Sequence, residues 1–115
     1  MTILVQMDFP TEGPFGEQMT EAFQSLAETI KEEEGFIWKI WTENEATKEA
    51  GGIYLFETTE DADRYVAMHT KRLESFGIRD IRVKQFNVNL PLSSQTNMDA
   101  SVFASLLDEH DHHDN

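Results

Sequence analysis

Residues 36–57 read FIWKIWTENEATKEAGGIYLFE, two aromatic and β-branched runs joined by a polar link. Each run, FIWKIWTE (36–43) and GIYLFE (52–57), is too short for a buried helix and has the composition of a strand. The link from Asn44 to Gly51 is polar, and a hairpin is the simplest connection. At period two, Trp38 and Ile40 point one way while Ile37 and Trp41 point the other, and Tyr54 and Phe56 oppose Ile53 and Leu55. A sheet built on this hairpin is apolar on both faces.

Upstream of the hairpin, TILVQMDF (2–9) sets Ile3, Val5, Met7 and Phe9 on one strand face. Gly13-Pro14 then predicts a turn with proline at a helix start, and Phe15, Met19, Ala22, Phe23, Leu26, Ala27 and Ile30 follow at helical spacing up to Gly35. Downstream, Thr58 and Asp61 have capping-box spacing ahead of a helical stripe of Ala62, Tyr65, Val66, His69, Leu73 and Phe76, closed by Gly77. DIRVKQFNVNL (80–90) predicts a fourth strand. Its apolar positions change from odd (Ile81, Val83) to even (Phe86, Val88, Leu90), which predicts a bulge near Gln85.

The order is βαββαβ, the α+β ferredoxin-like split βαβ, with an antiparallel four-stranded sheet and two helices on one face. Two helices cannot cover both faces of this sheet. A second copy stacking sheet on sheet resolves the excess, so an isologous homodimer is expected.

The chain has 115 residues and a net charge of -13. One domain over 1–93 is expected, followed by an acidic, histidine-containing tail over 94–115. Within the tail, Met98, Val102 and Leu106 predict a short helix over 98–107, and the closing DEHDHHDN has no apolar anchor and reads as disordered. The negative charge and the scattered lysines and arginines argue against nucleic acid and anionic membrane as partners. The absence of cysteine excludes disulfides and thiolate chemistry. MTILVQMDFP lacks a basic n-region, and no apolar run approaches the roughly 20 residues that span a bilayer. A cytoplasmic protein is the expectation.

Three groups of residues could carry chemistry. His69 lies on the sheet-facing stripe of its helix, where a neutral imidazole could accept a proton or could simply be a satisfied structural histidine. Trp38, Trp41, Tyr54, Tyr65, Phe36 and Phe56 could line a slot for a planar ligand or could be core. His110, His112 and His113 with Asp111 and Asp114 are ligand types for a transition metal but have no preorganised frame, so no metal site is assigned. The body of the chain has no phosphate-binding glycine loop and no nucleophile elbow.

Five words of the sequence, GPFG (13–16), EEGFIWKIWTEN (33–44), EAGGIYLF (49–56), HTKRL (69–73) and FNVNLPLS (86–93), together resemble the YdhR-type monooxygenase family of small bacterial proteins. The resemblance covers nearly all of residues 1–93. It implies a dimeric α+β barrel and oxygenation of small aromatic compounds with no metal, haem or flavin cofactor. It draws attention to Trp38, Trp41, Tyr54, His69 and Arg72. On this reading a phenolic substrate loses its proton to His69 and reacts as its anion with dioxygen. The aromatic residues hold the ring, and Arg72 stabilises the anion unless it is a solvated helix residue. Two rivals remain: a non-catalytic dimer that binds a small aromatic or lipophilic molecule, and a haem binder of the same barrel with His69 as axial ligand.

Overall fold

The computed structural model describes residues 1–97. β1 (Ile3–Pro10) buries Ile3, Val5 and Met7 on one face, as its period-two pattern requires. It is flanked by β3 (Glu49–Phe56) and β4 (Arg82–Asn87), and β2 (Phe36–Asn44) pairs outside β3. All pairs are antiparallel and the order is β2-β3-β1-β4, the expected ferredoxin-like sheet.

The first helical stripe forms two helices, α1 (Gly16–Ala22) and α2 (Gln24–Lys31), where one was expected. The break falls at Phe23, which caps both and stacks its ring on Trp41 at 6.1 Å between centroids. Pro14 lies before the Phe15 cap, so it belongs to the turn and not to the helix. α3 (Thr59–Ser75) starts as its capping signal predicts: the Thr58 hydroxyl oxygen accepts from the Asp61 backbone N–H at 3.1 Å. The same hydroxyl donates to the Asp61 carboxylate at 2.8 Å, and Arg64 reaches that carboxylate at 2.9 Å. These two hydrogen bonds hold the Asp61 carboxyl below the usual range, the Thr58 bond being the larger cause. Thr58→Ala should therefore cost about 1 kcal/mol in urea unfolding at neutral pH. Because Asp61 has a depressed pKa in the fold, its contribution is present above the ordinary aspartate pKa and is lost as pH falls. The gap between wild type and variant should therefore narrow in acid, leaving the part that comes from the backbone cap.

At its other end α3 closes in a Schellman pair. Gly77, at φ 88°, donates to the Glu74 carbonyl at 3.0 Å, and Ile78 donates to the Leu73 carbonyl at 3.1 Å. α1, α2 and α3 cover one face of the sheet. Ile30, Ala62, Tyr65 and Leu73 pack there on Ile3, Val5, Met7, Tyr54 and Phe56.

Two expectations are corrected. The β1–β4 register runs unbroken from Ile3↔Asn87 to Asp8↔Arg82, so β4 has no bulge at Gln85 and its pairing stops at Asn87. The chain instead turns at Asn89, whose side chain accepts from the Leu92 N–H at 3.1 Å, into a further helix, α4 (Leu90–Thr96), with Pro91 in its first turn. Leu90 is thereby buried against Leu55 on the face opposite α1–α3, which explains the change of parity without a bulge. The bulge of this sheet lies in β2, between Phe36 and Trp38. The helix expected over 98–107 and the histidines of the tail lie outside the described residues.

Candidate functional site

Strict alternation from Phe36, which pairs with Phe56 on the helix-covered face, would turn Trp38 and Ile40 inward and Lys39 and Trp41 outward. The extra residue at Ile37 reverses this. Trp38 pairs with Leu55 and Ile40 with Ile53, while Lys39 pairs with Tyr54 and Trp41 with Gly52. Ile37 and Trp38 both pack in the Leu55–Leu90 cluster on the far face. The bulge thus removes Trp38 from the helix side and delivers a lysine to it.

Between the sheet and α1–α3 lies an apolar cavity of about 240 Å³. Its walls include Phe9, Met19, Phe23, Trp41 and Phe76, with Leu73 and Ile78 placed by the Schellman closure of α3. Polar chemistry enters at Lys39, Tyr54 and His69. The Lys39 ammonium lies 3.4 Å from the centroid of the Trp41 ring and 4.6 Å from that of Tyr54. Gly52 makes this possible: a Cβ there would come within 2.7 Å of the Lys39 Cε and 3.0 Å of the Tyr54 ring.

His69, 3 % exposed, lies one helical turn after Tyr65 and stacks on it at 5.1 Å. Its Nδ1 accepts from Arg72 Nη2 at 2.9 Å and faces Arg72 Nε at 3.2 Å. A ring nitrogen held by a guanidinium carries no proton, so the tautomer assigned by this contact is Nε2–H. No described residue takes a hydrogen bond from that Nε2–H. Burial first, then Arg72 and Lys39, pull the His69 pKa down to about 3, and the imidazole is neutral at physiological pH. Burial and Arg72 also lower Lys39 to about 7. Tyr65 is pushed up to about 12, chiefly by burial, and Tyr54 is raised further for the same reason. The Tyr65 hydroxyl is buried without a hydrogen-bond partner among the described residues, although Tyr54 and Arg72 are near enough to affect its ionisation.

Of the residues singled out in the sequence, Trp41, Tyr54 and His69 meet in the cavity wall. Tyr65 and Phe56 lie behind it in the core, their rings tilted by 36° with centroids 5.2 Å apart. Arg72 does not line the cavity and reaches it through His69. Trp38 is on the other face of the sheet. Lys39 is the cavity residue that periodicity missed, and no other lysine or arginine among the described residues lines this cavity. No group of three histidine, aspartate or glutamate side chains among the described residues could hold a metal ion, and no described helix is long and apolar enough to cross a membrane.

Residues 4–99 match the sequence model of the family described as "Putative mono-oxygenase ydhR". No curated protein matches the chain. Among solved structures, one described as a putative antibiotic biosynthesis monooxygenase from Deinococcus radiodurans superposes with a TM-score of 0.51 at 8% identity. The superposition covers 77% of this chain and 93% of that one, a likeness of fold.

Proposed function

Since the chain belongs to the ydhR mono-oxygenase family, we propose that it oxygenates a small phenolic aromatic in the cavity between sheet and helices, with the electrons supplied by the substrate itself. The observation that carries this reading is the cavity: aromatic walls at Phe23 and Trp41, with His69 and Lys39 among the polar side chains that line it. A planar ring suits the walls, and a phenolic oxygen suits those two groups. With an anthrone-like substrate the balance closes without a cofactor. The ring methylene becomes a carbonyl, one atom of dioxygen enters the product, and the other leaves as water with the two methylene hydrogens.

The residues divide the work. Phe23 and Trp41 hold the ring and exclude water, and His69 Nε2–H donates to the oxygen on which negative charge develops. Arg72 is a positioning residue, since its guanidinium fixes the His69 tautomer from behind. Oxygen uptake by the metal-free protein across phenols, hydroquinones and anthrone-like aromatics tests the reading. Uptake should occur with at least one class and fall by roughly 10²–10³-fold in His69→Ala, the usual cost of one lost oxyanion donor. Unchanged uptake in the variant would remove His69 from the scheme. Ligand binding with no uptake across the panel would favour a sequestering binder.

The haem reading fits these residues poorly. An iron-bound histidine ordinarily donates its second N–H to a carboxylate or carbonyl, whereas His69 Nδ1 accepts from a cation. The cavity, about 240 Å³, is also smaller than sites for drug-sized ligands.

A homodimer is part of the same proposal. On the face away from α1–α3, Leu4, Ile37, Trp38 and Val88 surround Leu55 and Leu90, and beside them Ile40 and Phe86 are 52% and 51% exposed. A second copy laid sheet to sheet about a two-fold axis covers both patches at once.

A further inference from the structure

Taking the phenol-binding reading of the cavity as given, we propose that Lys39 is the group that takes the proton from the substrate. The bulge at Ile37 turns Lys39 inward, and the missing side chain at Gly52 leaves room for its Cε. Its nitrogen ends over the faces of Trp41 and Tyr54 at the cavity wall, and it makes no salt bridge or hydrogen bond among the described residues. A lysine on an ordinary strand surface would seek a carboxylate, and this one faces rings. The groups that face it are Tyr54 from β3 and His69 with Arg72 behind it from α3. The α1–α2 side contributes Met19, Phe23 and Leu26, none of which ionises. Desolvation and the Arg72 charge both disfavour the ammonium, so that about half of the amine is free at pH near 7. His69, at about 3, is too weakly basic to keep a phenol proton.

The step is a proton transfer. The phenol O–H bond breaks and an N–H bond forms on Lys39, leaving an ammonium–phenolate pair in the cavity, with His69 Nε2–H donating to the phenolate oxygen. Nothing is oxidised or reduced in this step. The apolar walls strengthen the pair, because the charges attract in a medium of low dielectric. The same arrangement sets the substrate class as hydroxyaromatics acidic enough to give up a proton to a lysine of lowered basicity, ahead of neutral hydrocarbons and of aryl ethers.

4-Cyanophenol tests this without oxygen chemistry, because its phenol and phenolate differ in ultraviolet absorbance. Binding is followed just above neutral pH, where most of the free probe is protonated and most of Lys39 is neutral. Wild type should bind it as phenolate with no net proton release to the buffer, and Lys39→Met should bind it as neutral phenol. Lys39→Arg keeps the charge and cannot accept the proton, so any phenolate it binds should appear with a proton released to the buffer. Wild type holding the neutral phenol, or Lys39→Met still holding phenolate, overturns the assignment and leaves the oxygenase reading intact, since that is judged by oxygen uptake. Failure of wild type to bind any phenol overturns both.

Discussion

Lys39→Met is expected to lower oxygen-consuming turnover of a phenol by roughly 10²–10⁴-fold, the usual contribution of a positioned general base. The loss should appear equally in kcat and kcat/KM, because the proton transfer lies on the way to the transition state and the ring contacts at Trp41 and Phe23 survive. The pH dependence gives the sign. Lys39 must be neutral to act, so the wild-type rate should rise as pH passes through about 7 and fall below it. The variant should lose that limb. Stability offers a second readout of the same group. The folded pKa of Lys39 lies below its ordinary value of 10.5, so between about 7 and 10.5 the unfolded chain binds more protons than the folded one. Wild-type stability therefore gains a rising contribution with pH across that window, while below about 7 the penalty of the buried ammonium is fully present. Denaturant unfolding of Lys39→Met should lack this rise. A variant with wild-type turnover and the wild-type pH limb would eliminate Lys39 as the base.

The fold was legible because its signals are local and mutually consistent. Alternation in β1, the Thr58 cap and the Gly77 stop of α3 each point to the same split βαβ order. The site was half legible. Tyr54 and His69 come together because each lies at a position that period two or period 3.6 sends toward the core, and Trp41 joins them because the bulge at Ile37 turns it inward. Trp38 was expected in the ligand slot and Lys39 was not singled out, because a single bulge residue, Ile37, exchanges the faces of everything after it in β2. A partial signal existed in Gly52, a small residue in an aromatic strand that marks a close approach from the neighbouring strand. α4 had its own signal, the Asn89 cap with Pro91 in the first turn, which was obscured by the apolar residues that extended β4 on paper. The break at Phe23 has no counterpart in the spacing, since the apolar stripe runs through it. Packing of Phe23 on Trp41 is a tertiary contact, and single-sequence periodicity does not report it.

Ile40→Asp is expected to convert the proposed dimer into a monomer. Ile40 is 52% exposed on the sheet face that carries the Leu55–Leu90 cluster, and in an isologous pair each copy presents it to the other. A carboxylate there would be desolvated without a partner, at a cost of roughly 3–5 kcal/mol for an uncompensated buried charge, or about 10²–10⁴-fold in the dimer dissociation constant. Two-fold symmetry introduces the charge twice and brings like charges toward each other, which raises the cost further. The monomer itself should fold, because in the single chain the substitution is at a solvent-facing position and leaves the core on the α1–α3 side untouched. The cavity is built within one chain, so phenol binding should persist in the variant even as the mass in solution halves. Sedimentation equilibrium of wild type and variant, each with and without the phenol, separates the two properties. A variant that sediments as wild type would place the interface elsewhere. A variant that becomes monomeric and loses the phenol would show that the partner completes the cavity, for which the face opposite His69 and Lys39 offers no route except through the sheet.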